Sequence, residues 1–209
     1  MTSEGQVKRL LAEKLNFTTL MIKKLDKFVN VLLKHNSKHN FIGKSTESVI
    51  WHRHILDSAQ IVKFIEAEKC NDIADFGPGA GFPGIVLAIF FNNFNFHVKL
   101  YEKSPVKSQF LASVIKNLNL KAKCINNDVK LENISSNYIV CRAFKPLPYI
   151  LNISRENCIN NHKIIILKGK SAQEEIKKAF KTEKFKYRLE KSITDNKSRI
   201  IIIDANNIL

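Results

Sequence analysis

Several features are absent from this sequence of 209 residues, and each absence excludes a class of protein. No run approaches the ~20 consecutive apolar residues that a membrane-spanning helix needs. Residues 1–14 carry scattered charges and no apolar core, so we expect no secretory signal. The four cysteines, at positions 70, 124, 141 and 158, form no C-x-x-C pair, which argues against a disulfide framework or a thiolate zinc site. The sequence therefore predicts a protein of the reducing cytoplasm, with no membrane contact.

Acidic residues are scarce beside basic ones. Nineteen Asp and Glu stand against 34 Lys and Arg, which gives a formal net charge of +15. Such a charge favours a polyanionic partner such as nucleic acid, or an anionic membrane surface. Compositional drift toward Lys, Asn and Ile explains it equally well, so charge alone assigns no function. The basic clusters at 8–44 and 177–186 are candidate contacts to an RNA backbone.

The order of helical and strand patterns predicts the fold class. Leu20–Lys34 has apolar residues at helical spacing, His35–Asn40 is a polar break, and Ser45–Glu66 reads as a second helix. The break would separate His35 from His39, and we predict no metal site. Beyond residue 69, strand-like and helical runs alternate. The strand-like runs are Asn71–Phe76, Phe96–Tyr101, Ala122–Ile125, Tyr138–Arg142 and Lys163–Leu167, followed by a hairpin of Phe185–Ile193 and Arg199–Asp204.

Such alternation is typical of a doubly wound α/β fold. Helices between strands favour a mostly parallel sheet, and the final hairpin adds one antiparallel strand, which we expect at the edge. We therefore predict one α/β domain over residues 70–209, with an N-terminal helical extension over residues 1–69 packed on it.

Most of the few glycines lie in one turn. Four of the seven fall between Gly77 and Gly84, directly after a predicted strand, where open α/β sheets bind ligands. Glycine lets the backbone approach a ligand closely and adopt positive φ. Gly79, Gly81 and Gly84 match the pattern G-x-G-x-x-G, so a dinucleotide enzyme is one interpretation. Pro83, which has no N–H to offer a pyrophosphate, counts against it.

Three acidic residues follow three successive predicted strands. Asp75 opens the pattern D-x-G-x-G-x-G, Glu102 ends the second strand, and Asp128 follows the third. A carboxylate at Asp75 would complement an ammonium or sulfonium, Glu102 could accept both hydroxyls of a ribose, and Asp128 could meet an adenine edge. The arrangement favours S-adenosylmethionine as the ligand. The alternative is that Glu102 and Asp128 pair with neighbouring lysines at the surface.

Five segments together resemble one family. Asn40–Ile42, Arg53–Ser58, Asp75–Gly84, Arg142–Phe144 and Leu167–Gly169 match, in order and spacing, the motifs of the RsmG (GidB) family of small-subunit ribosomal RNA guanine-N7 methyltransferases. The glycine loop alone indicates only the wide methyltransferase class. The R-H-I-L-D-S and R-A-F segments are the specific ones, and the resemblance extends from about residue 20 to the C-terminus.

The resemblance implies a Rossmann-like, seven-stranded methyltransferase sheet behind an N-terminal helical extension. It also implies S-adenosylmethionine as methyl donor and 16S rRNA, in the small ribosomal subunit, as acceptor. The donor contacts of the family fall here on Gly77, Phe82, Glu102, the pair Val129 and Lys130, and Arg142. Because Lys130 stands where the family commonly has Glu, a contact there is assigned to the backbone or to Val129.

The chemistry of guanine N7 agrees with this interpretation. The N7 lone pair is free at neutral pH and can attack a sulfonium methyl without losing a proton, so catalysis needs positioning and no general base. The N-P-P-Y segment of exocyclic-amine methyltransferases is absent after the fourth predicted strand. Cytosine-C5 enzymes need a cysteine nucleophile. Cys141 lacks the preceding proline of those enzymes, and a small buried residue at a strand end explains it better.

Two basic residues and a helix face complete the candidate site. Arg142 could orient the O6 and N7 edge of guanine or anchor the donor carboxylate, and a strand-end salt bridge is its alternative. Lys168 is either a second positioning group or a solvated lysine. His54 and Asp57 lie three residues apart, so they share a helix face. They either close the pocket or form a local pair that fixes the helix to the sheet.

The hypothesis from sequence is a methyltransferase that acts on N7 of a guanosine in 16S rRNA, with a monomer favoured. Other interpretations are a methyltransferase acting on another RNA position, an NAD-type oxidoreductase, and a non-catalytic RNA-binding assembly factor. The sequence leaves open which guanosine is modified and whether free rRNA, an assembly intermediate or the mature subunit is the substrate.

Overall fold

Seven short apolar runs assemble into one sheet at the centre of the molecule. The computed structural model describes residues 2–66, 68, 72–181 and 184–205. The strands are β1 (Asp72–Phe76), β2 (His97–Tyr101), β3 (Ala122–Ile125), β4 (Tyr138–Arg142), β5 (Lys163–Lys168), β6 (Tyr187–Lys191) and β7 (Arg199–Asp204). Their order across the sheet is β3-β2-β1-β4-β5-β7-β6. The order reverses beside β1, which places the topological switch point at the end of that strand.

The first five strands are parallel, and the sheet prediction is confirmed except at its edge. β7 runs antiparallel between β5 and β6, so the antiparallel strand is internal and β6 forms the edge. The expectation of an antiparallel edge strand is therefore wrong. The sequence carries the reason, because Ile200–Ile203 is an unbroken apolar run that suits a strand covered on both faces. The charges of Arg188 and Glu190 suit the exposed edge strand β6.

Two long helices precede the sheet, and the sequence predicted a helical extension without separate bounds for the first of them. Helix α1 (Glu4–Leu15) begins with a capping box between Ser3 and Gln6 and buries residues spaced by four, Val7, Leu11 and Leu15. Helix α2 (Thr19–His39) continues through the predicted polar break to Asn40, where φ is 49°. His35 and His39 therefore share one helix, and the expectation that the break separates them is wrong.

The predicted second helix, Ser45–Glu66, is not a single regular helix. A 3-10 turn (Lys44–Val49), a wide π-type turn (Trp51–Leu56), one regular turn α3 (Asp57–Ala59) and a second 3-10 turn (Gln60–Phe64) follow one another. Side-chain hydrogen bonds compete with the regular pattern at the start, where the Thr46 hydroxyl donates to the Gly43 carbonyl at 2.7 Å. Wide turns of this kind are frequent at functional sites.

Helices cover both faces of the sheet. One face carries α4 (Gly84–Phe90) and α5 (Pro105–Leu118), over which α2 packs with α1 beside it, and the other carries α6 (Leu147–Asn157) and α7 (Ala172–Ala179). The N-terminal helices thus share one hydrophobic core with the sheet, and the predicted boundary at residues 69 and 70 lies outside the described residues. In the described part of the chain, no helix combines the length and hydropathy required to cross a membrane.

Helix α2 offers a matched test of this shared core. Leu25 is fully buried, whereas Leu20 on the same helix is 62% exposed. We expect Leu25→Ala to lower the free energy of unfolding by about 2–5 kcal/mol, because it leaves a cavity between extension and sheet. Leu20→Ala should cost less than about 0.5 kcal/mol. Urea unfolding measures both. Equal effects would show that the extension does not contribute to the core as described.

Candidate active site

The glycine loop after β1 has left-handed backbone at three glycines, and they differ in what surrounds them. Gly77, Gly79 and Gly81 have φ values of 66°, 58° and 105°. A Cβ atom at Gly77 would lie 2.5 Å from Cδ2 of Phe144, and one at Gly81 would lie 2.7 Å from Cγ1 of Ile85. A Cβ at Gly79 would meet nothing within 4 Å. Gly77 and Gly81 therefore allow close packing, while Gly79 borders open space.

Asp75 lies behind this loop rather than in front of it. The carboxyl is fully buried, and its Oδ2 accepts a hydrogen bond from the Gly84 amide at 2.7 Å. Burial raises the pKa of Asp75 to about 8, although the Gly84 hydrogen bond opposes the shift. Asp75 does not line the adjacent cavity, unlike the exposed strand-tip carboxylate expected from sequence. It holds the first turn of α4 against β1 instead.

Glu102 occupies the end of β2, as the sequence analysis predicted. Its Oε2 accepts from the Gly79 amide at 3.1 Å, and its Oε1 accepts from the Ser104 amide at 2.9 Å. The side chain is 7% exposed and lines the cavity in front of the glycine loop. Each carboxylate oxygen has a second lone pair, so Glu102 can fix the loop and accept a further hydrogen bond.

That cavity, called the loop cavity here, has a volume of about 510 Å³. Gly77, Gly79, Phe82, Glu102, Asp128, Val129 and Arg142 line it. Asp128 also caps a short turn by accepting from the Lys130 amide at 3.2 Å. Lys130 itself does not line the cavity, because its Nζ lies over the Tyr149 ring, 4.5 Å from the centroid. Gly81 also lies outside the lining, beneath the loop.

A partly buried cluster around Arg142 lies at one end of the loop cavity. Its Nη1 donates to Oδ2 of Asp57 at 3.2 Å, and its Nη2 lies 2.7 Å from Nδ1 of His54. Arginine can only donate, so His54 accepts at Nδ1 and carries its proton at Nε2, 2.9 Å from the Thr46 hydroxyl. Burial, and then the charge of Arg142, lowers the pKa of His54 to about 3. The histidine is therefore neutral.

Asp57 joins this cluster to the β6–β7 turn. Its Oδ1 accepts from the Thr194 hydroxyl at 2.8 Å and from Nε2 of Gln60 at 3.0 Å. Gln60 is fully buried, donates to the Ser192 hydroxyl at 3.1 Å and accepts from the Ile193 amide at 2.9 Å. One carboxylate thus ties the helical extension, the end of β4 and the hairpin turn together.

A second cavity of about 370 Å³ adjoins the first and is called the hairpin cavity here. His54, Arg142 and Ala143 line both cavities. Ala143 has a φ of 50°, a left-handed conformation that costs of order 1 kcal/mol and clusters at functional sites. The hairpin cavity is further lined by Arg53, Asp57, Leu167, Lys168, Gly169, Ser171, Glu175, Ser192, Ser198, Arg199 and Ile200.

Lys168 is neither free nor solvated. Its Nζ lies 2.7 Å from Oε2 of Glu175 and donates to the Lys145 carbonyl at 2.7 Å. Glu175 also accepts from the Leu147 amide at 2.8 Å, and Lys168 lowers the pKa of Glu175 against the opposing effect of burial. Lys168 thus braces the wall of the hairpin cavity, with the side chain 10% exposed.

The sequence did not predict that Gln60 and Thr194 belong to the site. Gln60 and Thr194 lie 134 positions apart in the chain and belong to no motif, so only the fold brings them together. Phe144 was noted as part of R-A-F, and its ring packs where a Cβ at Gly77 would fall. The positive φ of Ala143 marks this turn in the structure, and alanine gives no sign of it in the sequence.

Known structures share this fold. The chain superposes on an O-methyltransferase from Bacillus cereus, determined in complex with SAH, with a TM-score of 0.61 at 12% identity, covering 95% of this chain and 96% of that one. A chain of a fibrillarin/Nop5p complex gives a TM-score of 0.55 at 13% identity, covering 73% and 81%. A parallel sheet with an inserted antiparallel seventh strand and a glycine loop at its switch point is the Rossmann-like fold of methyltransferases.

The sequence comparisons specify the family. A family profile described as rRNA small subunit methyltransferase G (GidB) matches residues 21–202. A relative with the name Ribosomal RNA small subunit methyltransferase G from Pelagibacter ubique is 37% identical over 183 residues, 85% of each chain. One of the same name from Rickettsia bellii is 36% identical over 190 residues, covering 90% of this chain and 96% of the relative. This chain belongs to the GidB family, so it is a methyltransferase and not an NAD-type oxidoreductase.

The neutral His54 predicts a pH dependence of stability. Unfolded histidine titrates near 6.5 and folded His54 near 3, so between these values the unfolded state binds more protons. Stability due to His54 is therefore complete above about pH 7 and is lost as the pH falls, by about 2 kcal/mol at pH 5. His54→Gln, which keeps an acceptor but does not titrate, should lose less stability between pH 7 and pH 5. Urea unfolding at the two pH values measures both losses. Equal losses of the free energy of unfolding in native protein and in His54→Gln would contradict the assignment.

Proposed function

We propose that this chain transfers a methyl group from S-adenosylmethionine to N7 of a guanosine in 16S rRNA. The observation that carries the proposal is the common wall of the two cavities, formed by His54, Arg142 and Ala143. A transfer enzyme needs two ligands held in contact across one shared boundary. The loop cavity would hold the donor, and the hairpin cavity would hold the guanine base.

The residues of the loop cavity fit the donor. Gly79 leaves open space where any side chain would project, so the backbone can approach a ligand. Glu102 would accept the ribose hydroxyls, while Asp128 and the backbone at Val129 would meet the adenine. Bound there, S-adenosylmethionine supplies an electrophilic methyl group. Gly77, Gly81 and Asp75 would act indirectly by shaping the loop, and Lys130 through its backbone.

The common wall fits an acceptor that needs no base. His54 is neutral and uses Nδ1 to accept from Arg142, and Asp57 already accepts from Arg142, Gln60 and Thr194. Neither is placed to remove a proton. Guanine N7 requires no proton removal, so Arg142 would orient the base through its O6, and Lys168 would hold the cavity wall.

Other parts of the proposal rest on the family and the composition. The curated relatives are named for small-subunit ribosomal RNA, and we propose the same partner for this chain, in the cytoplasm. We propose that residues 1–69 are an extension of the methyltransferase domain at 70–209. We further propose a monomer, since both cavities are lined within one chain.

Methyl transfer to isolated small-subunit RNA tests the function. Tritium from labelled S-adenosylmethionine should enter 16S rRNA, and reduction followed by aniline treatment should cleave the RNA at the labelled nucleotide, as expected for 7-methylguanosine. Label without cleavage would favour another RNA position. Donor and RNA binding without any transfer, to RNA or to the small subunit, would favour a non-catalytic assembly factor.

Gly79→Asp tests the donor cavity. The new carboxylate would project into the loop cavity, close to Glu102, and the positive φ at this position adds backbone strain, which Asp tolerates better than most residues. We expect donor affinity, measured by calorimetry, to fall about 100-fold or more through lost space and like-charge repulsion. Gly5→Asp, also in open space but on α1, is the matched control and should bind the donor normally. Normal donor binding by folded Gly79→Asp would refute the cavity assignment.

Thr194→Val tests whether Asp57 positions Arg142. The substitution removes one hydrogen bond to a buried carboxylate, worth about 1.5–3 kcal/mol. We expect kcat/KM for RNA to fall about tenfold, with donor affinity changed less than about threefold. Thr194→Ser keeps the hydroxyl and should retain activity. If Thr194→Ser lost as much as Thr194→Val, packing at this position and not the hydrogen bond would be responsible.

A further inference from the structure

The end of α2 carries a group of stacked rings beside the loop cavity. His35, His39, Phe41 and Phe110, called the aromatic platform here, lie in mutual contact. The His39 and Phe41 rings are nearly parallel, at 15° with centroids 5.4 Å apart. Phe41 contacts Phe110 at 4.9 Å, and Phe110 contacts His35 at 5.2 Å. Two helices and the loop between α2 and the next turn thus build one continuous group of rings.

The platform has a buried base and an exposed top. Phe110 is 4% exposed and Phe41 is half-buried, whereas His35 and His39 are exposed. Neither imidazole makes a hydrogen bond within the described part of the chain. The inner rings therefore fix the outer ones, whose faces remain accessible to a planar ligand.

A buried amide makes the loop beneath the platform rigid. Nδ2 of Asn36 donates to the Ile42 carbonyl at 3.1 Å, and Oδ1 of Asn36 accepts from the Ile42 amide at 2.8 Å. Nδ2 also donates to Glu47 at 2.6 Å. Because Phe41 precedes Ile42 directly, its ring is held in place before any ligand binds, which lowers the entropic cost of stacking.

The surroundings of the platform are basic. The stretches 34–44 and 103–110 contain no Asp or Glu but five lysines. These are Lys34, Lys38, Lys44, Lys103 and Lys107, and none forms an ion pair with a described residue. Two carboxylates contact these stretches, and each already accepts a hydrogen bond: Glu47 from buried Asn36, and Glu102 from the Ser104 amide. Stacking rings among unpaired lysines complement a polyanion made of planar bases.

The platform is continuous with the methyl-transfer site. Phe41, Ile42, Gly43, Lys103 and Lys107 line the loop cavity together with Glu102. A strand that reaches the common wall of the two cavities would therefore pass close to these rings. Bases in a duplex have their faces covered by neighbouring bases, so the rings would accept unpaired nucleotides only.

We propose that the aromatic platform stacks unpaired bases of the RNA strand that flanks the modified guanosine. His39 supplies the outer stacking face, and the surrounding lysines contact phosphates. This inference rests on the proposed function, because it takes RNA to be the acceptor. It adds a site for flanking nucleotides at the edge of the loop cavity, where Phe41 belongs to both, and this site would favour a single-stranded segment over a duplex.

Binding of an oligoribonucleotide by the full chain tests the platform. The ligand is a single-stranded segment of 16S rRNA with 2-aminopurine placed at one position after another. The same unmethylated segment, paired with its complementary strand, is the comparison. Native protein should bind the single strand more tightly and quench 2-aminopurine at one or two positions. His39→Ala should weaken single-strand binding about 5- to 100-fold, which corresponds to one lost base stack, and should abolish that quenching. His39→Tyr should restore both.

Two further variants separate stacking from charge. His97→Ala replaces an exposed histidine at the start of β2, away from the carboxyl ends of the strands, and should bind RNA normally. Lys38→Gln should reduce the salt dependence of binding by about one unit in slope and preserve quenching. His39→Ala should leave the salt slope unchanged, since it removes no charge that the proposal assigns to a phosphate.

Each outcome bears on the proposal separately from the enzyme assignment. Unchanged RNA affinity and quenching in His39→Ala, or failure of His39→Tyr to restore them, would overturn the platform even if methyl transfer proceeds. Equal loss of single-strand and duplex binding would also overturn it. If His39→Ala weakens RNA binding as expected but native protein transfers no methyl group, the platform stands and the proposed function fails.

Discussion

The ion pair between Arg142 and Asp57 is the interaction on which the site depends. A guanidinium buried at the end of β4 is costly unless a carboxylate and further acceptors compensate it, and Asp57, His54 and the Arg53 carbonyl do so. Pairs of this kind contribute more to geometry than to stability. Because Thr194 and Gln60 hold Asp57 in turn, the arginine cannot move without disturbing three separate segments of the chain.

Desolvation determines the protonation states around the pair. It lowers the pKa of His54 to about 3 and raises that of Asp75 to about 8, so burial favours the neutral form of both groups at neutral pH. Of the three residues that form the common wall, Arg142 is then the charged one, and it is paired with Asp57. Such a wall can orient a polar base but cannot readily accept a proton, which matches the chemistry proposed for N7.

The N-terminal helices are part of the working enzyme rather than an appendage. They place Leu25 and Phe28 in the core shared with the sheet, supply His54 to the common wall and Asp57 to the hairpin cavity, and, with the loop after α2, carry three of the four rings of the aromatic platform. Phe28 also lies against Phe82 of the glycine loop, with centroids 5.5 Å apart. The loop is therefore supported from below by the extension as well as by α4.

The sequence alone determined those structural elements that depend on neighbouring residues, and it also determined the family. Four clustered glycines, an acid after β2 and alternating apolar runs predicted the sheet, the loop and Glu102, because strand ends and turns follow from neighbouring residues. Tertiary structure decided which faces those side chains reach. In the tertiary structure Asp75 lies behind the loop, α2 continues through its polar segment, and β7 lies inside the sheet. Gln60 and Thr194 both donate hydrogen bonds to Asp57. These outcomes depend on packing and hydrogen bonds between residues far apart in the chain, which no local pattern records.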